Sequence, residues 1–407
     1  MALKPTLATR RTCTGCMACV DSCAHSALES YMARDGHLYV RWNRTDCTGC
    51  GACSRTCPVI TPHKPEPGKP GIRAAWANDE RLRMKSSSGG VFAALAVQTL
   101  AEGGVVFGAA MKGTQVVHRA VERIDDLEAL QGSKYQQGDL SGVYRKVRKY
   151  LREGRAVLFS GVPCQVAGLY GMLGGKRPDN LLAVDLVCSG FPSLLPLQSF
   201  LKHEPYGRVE TLTYRDKRDG WYDDAKQRIS SQDLTLYPED GTPVKLYSGL
   251  VYSAFGSHLT NRSSCLNCPF ARAHRLADLT LADYWGDRDY PDQHYAGLSA
   301  VVVHSRKGLE AISKADLTVH PSTWAKFLHS CYRMVCGRHP FIRLHPGRWL
   351  RTFAFTRGSY ALQQHLFYVK PMTLLTFPYR AWGGFLFRMS GMWIDRVVKH
   401  AINNLDT

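Results

Sequence analysis

The residues most able to do chemistry are the cysteines, and eight of the fourteen fall into two identical patterns. Cys13, Cys16, Cys19 and Cys23 recur as Cys47, Cys50, Cys53 and Cys57, each displaced by 34 residues. The spacing C-x2-C-x2-C-x3-C lets three thiolates of one tight loop wrap a cubane while the fourth reaches to a second cubane. Cys13, Cys16, Cys19 and Cys57 are therefore assigned to one [4Fe–4S] cluster, and Cys47, Cys50, Cys53 and Cys23 to another. Zinc knuckles pair two C-x2-C units, and a disulfide framework belongs to secreted chains, so both are weaker readings. The second quartet ends in Cys57-Pro58 and the first in Cys23-Ala24, a difference that removes no ligand.

Four more cysteines are spread over three segments: Cys164, Cys188 and the pair Cys265-x2-Cys268. Two of them are placed by a strand, helix, strand unit. Ala156 to Phe159 reads as a strand, Cys164 to Leu173 as a helix, and Leu181 to Val187 as a second strand, parallel to the first. Cys164 and Cys188 then sit past the carboxyl ends of neighbouring strands, the edge at which open parallel sheets bind ligands. A third [4Fe–4S] cluster is the expectation; buried packing thiols, or a redox pair, are the alternatives. Cys331 and Cys336 have no matching partners and read as packing residues.

Clusters pass single electrons and most metabolites take pairs, so a converter such as flavin is expected. Ser86-Ser87-Ser88-Gly89-Gly90 runs into the apolar Val91 to Ala96, which reads as a helix with serine at its cap and backbone N–H groups open to a pyrophosphate. An ordinary helix cap is the competing reading. No G-x-G-x-x-G fingerprint and no P-loop is present.

The elements that must position these groups divide the chain as follows. Residues 1–60 are expected to form an α+β ferredoxin-like domain with a hairpin strand at His37 to Trp42. Residues 61–72, rich in proline, read as a linker. Residues 73–320 read as an α/β domain with a mixed, partly parallel sheet, including the strands Gly104 to Gly108 and Asp278 to Asp283. Residues 321–407 read as a helical, basic extension: 12 Lys and Arg against Asp395 and Asp406 supply +10 of the formal charge of +18. Its aromatic residues Trp349, Phe353, Phe355, Phe367, Tyr368, Trp382, Phe385, Phe387 and Trp393 suit docking to an anionic membrane surface or an acidic protein such as a ferredoxin. A helical layer with a solvated basic face is the plainer alternative. No nucleic-acid-binding motif accompanies the charge, so nucleic acid is not an expected partner. The first eleven residues have no apolar signal core and no run of about 18 apolar residues occurs, so a cytoplasmic protein is expected, with peripheral membrane contact left open.

Several segments in order resemble one family, the beta subunits of coenzyme F420-dependent hydrogenases and dehydrogenases. They are Ser87 to Gly90, Gly132 to Tyr135, Phe159 to Gln165, Asp185 to Ser193, Cys265 to Cys268 and Asp278 to Gly286. The resemblance implies a flavoprotein oxidoreductase that binds FAD near a cluster and exchanges a hydride with a deazaflavin or another organic substrate. It places Ser88, Gly89, Gly90, Lys134 and Tyr135 along the flavin, with Lys134 stabilising negative charge and Asp283 orienting a cofactor group or capping a turn. It also implies a partner: a ferredoxin, or a hydrogenase or dehydrogenase subunit. Bacterial relatives with an N-terminal ferredoxin module look like auxiliary reductases, some tied to cell-surface polysaccharide synthesis. The family has histidine after the cysteine matching Cys188, and here it is Ser189; its glycine before Asp283 is here Ala282. A non-catalytic electron-transfer subunit is the alternative function.

Overall fold

The computed structural model describes residues 4–222, 234–246, 249–285, 287–337, 347–368 and 377–405. At its centre an eight-stranded sheet runs in the order β13 (Leu317–Ser322), β3 (Gly71–Ala77), β12 (Ser299–Val303), β11 (Leu279–Asp283), β7 (Leu181–Leu186), β6 (Val157–Gly161), β4 (Val105–Lys112) and β5 (Gln115–Val121). Strands β4, β6, β7 and β11 are mutually parallel, and β5, β12, β3 and β13 pair antiparallel around them. This is the mixed, partly parallel sheet expected from the strand, helix, strand pattern. Every residue of β6 is buried, as a central strand covered on both faces requires. Burying Val157, Leu158 and Phe159 contributes roughly 1.5–3 kcal/mol each.

Helices pack around this sheet and its smaller neighbour, and Cys19, Cys53 and Cys164 lie on them. In chain order they are α1 (Ala18–Ser22), α2 (Ala52–Thr56), α3 (Glu80–Lys85), α4 (Val91–Ala101), α5 (Val143–Arg152), α6 (Pro163–Met172), α7 (Leu195–His203), α8 (Gly249–Gly256), α9 (Arg306–Lys314), α10 (Trp324–Cys331), α11 (Gly347–Arg357), α12 (Tyr360–Tyr368) and α13 (Phe377–Leu405). A separate three-stranded sheet, β8 (Val209–Thr213), β9 (Leu234–Pro238) and β10 (Val244–Leu246), leads into the buried residues Tyr214 to Lys217. Strand β13 runs across position 320, and β3 begins at Gly71, so the expected boundaries at 72 and 320 both fall within strands of the main sheet.

Residues 4–60 repeat in backbone as well as in cysteine spacing. Helix α1 is entered through Met17 in the left-handed region (φ 63°) and closed by Cys23; α2 is entered through Gly51 (φ 71°) and closed by Cys57. Between them β1 (Leu28–Met32) and β2 (Leu38–Trp42) form an antiparallel hairpin, which contains the expected strand at 37–42.

Helix α6 joins this N-terminal unit to the sheet. Pro163 opens it, a position where the missing N–H costs nothing, and Gln165 Oε1 accepts from Val162 N at 2.9 Å to cap it. From Gln165 to Met172 it is buried all round. A methyl on Gly171 would overlap the carbonyl oxygen of Thr56 in α2, so only glycine allows this approach. One turn earlier, a methyl on Gly168 would stand 3.2 Å from Cys16 Sγ. The Tyr144 hydroxyl lies within hydrogen-bond distance of the carbonyls of Cys16, at 2.9 Å, and Gln165, at 3.0 Å, fastening the same joint.

Candidate functional site

The parallel strands end on one edge, and a cavity of about 410 Å³ opens there. Its walls include Ser160 and Gly161 from β6, Leu186 to Cys188 after β7, and Leu281 to Asp283 of β11. This is the edge at which such sheets bind ligands, and the volume lies in the range of cofactor and small-molecule sites. Of the six residues expected along a flavin, Ser88, Gly90, Lys134, Tyr135 and Asp283 line the cavity. Gly89 lies behind it, where a side chain would collide with Ala75 O and Ser299.

The serine-rich turn departs from the expected helix cap. Gly90, not serine, caps α4, with φ 81°, and a methyl there would stand only 3.1 Å from Arg83 Cα, a conformation and a proximity that favour glycine. The serines instead tie the turn to its neighbours. Ser87 Oγ accepts from Ser133 N at 2.6 Å, Ser88 Oγ meets Ser299 Oγ at 2.8 Å, and Gly89 N donates to Ser299 Oγ at 2.9 Å. The first turn of α4 presents Gly90, Val91 and Phe92 to the cavity, at the helix end whose backbone N–H groups have no intrahelical partner.

Two cations that sequence reasoning did not single out organise this wall. Lys217 Nζ donates to the carbonyls of Arg83, Ser86 and Ser88 at 2.7, 3.1 and 2.6 Å. Burial pulls it down to about 7, and the nearby Arg83 adds to the shift. Arg215 Nη1 donates to Asp283 Oδ2 at 2.8 Å, Nη2 donates to Ser87 O at 3.0 Å, and the guanidinium lies 5.2 Å over the Trp285 ring. Burial opposes the charge on Arg215, and Asp283 and Tyr135 more than restore it. Asp283 is thus the partner of a buried arginine, a role the sequence reading did not give it, because the chain between residues 215 and 283 hides the pairing. Lys134 donates to Gln131 O at 2.6 Å, and burial pulls it down to about 7. His118, stacked on Phe159, also lines the cavity; burial pushes it down to about 4.

A second cavity, of about 40 Å³, is lined by Cys164, Cys188, Cys265 and Cys268, the four cysteines expected together. It shares Cys188, Ser189, Gly190 and Phe191 with the large cavity. Burial raises all four thiols, Cys188 to about 11 and Cys265 to about 12, and the crowding of the other cysteines adds to this for Cys164, Cys188 and Cys265. Thiols held so close and so dry ionise only against a cation, which is the condition a cluster supplies. Cys336 is a fifth cysteine on this cavity, and Cys268 N donates to Gly337 O at 2.7 Å. Cys331 and Cys336 are both buried, as read from the sequence, and Cys331 Sγ lies 3.2 Å from Asp283 O.

A third cavity, of about 80 Å³, gathers Cys13, Cys16, Cys19 and Cys57 and does not include Cys23. Thr14 lines both this cavity and the one around Cys164. Arg262 braces the same junction: it is fully buried, donates to Cys13 O at 2.7 Å and to Gln137 Oε1 at 3.1 Å, and lies 4.2 Å over Tyr39. Cys47, Cys50 and Cys53 surround the start of α2, which packs on α1 ahead of Cys23; Cys50 is exposed whereas Cys16 and Cys53 are buried. Among the described residues no three His, Cys, Asp or Glu side chains close on a point as they do around a single metal ion. A cubane is held at its corners, around a space.

In the tail, α10 seats Trp324, Phe327 and Leu328 in a core with β3 and β12. Phe353 is exposed and Phe355 partly buried; the side chains of Trp349, Phe367, Tyr368, Trp382, Phe385 and Phe387, and the whole of Gly286, lie outside the described residues. No helix among the described residues is long and apolar enough to cross a membrane.

Comparison with known proteins places these cavities in a class. Residues 12–60 match a 4Fe-4S dicluster domain. Residues 72–144 match the N-terminal model, and residues 154–320 the C-terminal model, of the coenzyme F420 hydrogenase/dehydrogenase beta subunit. The chain is an iron–sulfur redox protein of the oxidoreductase-subunit kind. It belongs to the coenzyme F420 hydrogenase/dehydrogenase beta subunit family, with a 4Fe-4S dicluster domain at its N-terminal end. Among solved structures, the xenon-derivatised F420-reducing [NiFe] hydrogenase complex from Methanosarcina barkeri is similar, at 21% identity over 64% of this chain and 83% of that one, with a TM-score of 0.40. No curated protein matches.

Proposed function

We propose that the chain is an iron–sulfur flavoprotein oxidoreductase in which three [4Fe–4S] sites lead to FAD in the 410 Å³ cavity, where a hydride is exchanged with an organic substrate or a deazaflavin coenzyme. One observation carries the reading: the three cavities form a chain of shared walls. Thr14 joins the site of Cys13, Cys16, Cys19 and Cys57 to that of Cys164, Cys188, Cys265 and Cys268, and the stretch Cys188 to Phe191 joins the latter to the large cavity. The site of Cys23, Cys47, Cys50 and Cys53 is then the outer one.

Bound in the cavity, FAD would take electrons one at a time and pass them on in pairs as hydride. The chain's own residues do the rest. The N-terminus of α4, whose first-turn residues line the cavity, would hold a pyrophosphate through its backbone N–H groups. Ser299 and Lys217 hold the Ser86 to Gly90 turn in place, so a phosphate would meet a preformed wall. Arg215, kept charged by Asp283 and close to the Tyr135 hydroxyl, would offer guanidinium N–H donors at the cavity wall to a polar edge of a ring system. Lys134 is already bonded to Gln131 O, so a role toward the cofactor requires it to leave that carbonyl.

Iron, sulfide and flavin quantitation on one anaerobically purified sample tests this. About twelve irons and one FAD per chain are expected. About eight irons without flavin would replace the enzyme by an electron-transfer subunit.

A further inference from the structure

We propose that the face formed by Arg55 and Arg145 is the docking site of a small acidic one-electron carrier protein, which delivers its electron to the outer of the N-terminal clusters. The inference rests on the relay above and adds where it is entered and by what.

The two arginines mark opposite ends of one ligand set. Arg55 Nη1 donates to Cys50 O at 2.9 Å, and Arg145 Nη2 donates to Cys23 O at 2.9 Å. Each guanidinium is exposed, so both flank the same proposed cluster from the solvent side. Arg145 is held firmly: it also donates to Asp21 O at 2.7 Å and Val20 O at 3.0 Å, and Asp21 in turn accepts from the first N–H groups of α5. The positive face is therefore fixed relative to the cysteines.

The charge around it is one-sided. Between Asn43 and Cys57 and across Ser141 to Arg148 the exposed charges are Arg44, Arg55, Arg145 and Lys146 against Asp46. Asp46 is the one exposed carboxylate of these segments and leaves the balance positive, and the neighbouring Arg41 is paired with Glu29 at 2.6 Å. Such a surplus steers an acidic surface into contact and raises its arrival rate, more so at low salt. Exposure points the same way: Cys50 is the exposed cysteine of the eight, while Cys16, on the inner site, is buried against α6. Cys53 of the outer set is buried too, so the edge that a carrier meets first is the Cys50 side of the outer cluster. In the encounter the carrier's reduced centre loses one electron to that cluster, and no bond or proton is exchanged. The carrier's chemistry follows: one electron, a redox centre near its surface, and carboxylates around it.

The full chain with its clusters is the material for the test, and iron is measured first, because fewer than eight irons would count against the relay rather than the docking face. Binding is then measured with an acidic bacterial ferredoxin whose iron is replaced by gallium, which docks without passing an electron, and reduction with the native reduced ferredoxin by stopped flow. Arg55→Glu is expected to weaken binding and slow cluster reduction by ferredoxin about tenfold at low salt, and the double variant Arg44→Glu with Lys146→Glu is the one whose reduction by dithionite stays unchanged. If Arg55→Glu loses iron, the pair Arg44→Glu and Lys146→Glu, which holds no cysteine carbonyl, is expected to give the same loss. Unchanged ferredoxin binding in both variants overturns the proposal. So does a loss produced instead by Arg396→Glu with Lys399→Glu on α13, or variants that lose only their binding to phosphatidylglycerol vesicles.

Discussion

Arg215 and Asp283 meet at 2.8 Å on the wall of the large cavity, the arginine side chain 2% exposed and the aspartate 23%. Replacing Asp283 by Asn leaves a buried guanidinium without its counter-charge, a change that costs roughly 3–5 kcal/mol in buried pairs. The expected outcome is a lower urea midpoint together with loss of flavin, and a flavin content equal to wild type would detach this pair from the cofactor.

Cys268→Ser separates the inner cavity from the N-terminal sites. The variant is expected to keep about eight irons and lose about four, and its flavin should be reduced more slowly by any donor that enters at the N-terminal clusters. Flavin reduction at the wild-type rate would take this cavity out of the electron path.

His118 gives a pH dependence with a defined sign. Burial lowers it to about 4 from an ordinary value near 6.5, so between these limits the unfolded chain binds a proton that the folded chain refuses. The stability contributed by its neutral form is complete above about 6.5 and is lost as pH falls toward 4, by about 3 kcal/mol at most. Urea midpoints of the wild type should fall between pH 7 and 5, and His118→Gln should fall less steeply. Parallel curves for the two proteins would contradict the assignment.

Gly171→Ala places a methyl against Thr56 O and should push α2 from α6 at a cost of about 1–3 kcal/mol. Thermal unfolding that splits into two transitions, the N-terminal unit melting first, is the expected signature. A single transition at the wild-type temperature would mean the joint tolerates the methyl.

Much of this architecture was legible in the sequence because its signals are local. The 34-residue repeat of cysteines, the parallel strands around Cys164 and the placing of Cys164 and Cys188 on one edge follow from spacing and from the rule that βαβ units present their strand ends together. Nothing local in the sequence brings Cys265 and Cys268 to them. What escaped was long-range and polar. Lys217 and Arg215 follow a strand with no motif around them, and their carbonyl and carboxylate partners lie more than sixty residues away. The cap of α4 was misread because three serines in a row look like cap residues, whereas the left-handed backbone beside Arg83 selects Gly90. Arg262, which ties Cys13 to the segment before Cys265, was visible only as one arginine among many.

Helix α6 carries Cys164 in its first turn and meets Cys16 and Thr56 along its length, so a single helix sets the distance between the Cys164 cavity and the N-terminal cysteines. Transfer inside the chain should then be indifferent to dilution and to the length of the proline-rich connection at 61–70, since neither changes the gap. Dilution is felt only where a separate molecule must arrive. On the proposed relay, then, the fold fixes the internal gaps, and only the arrival of a separate carrier depends on its concentration.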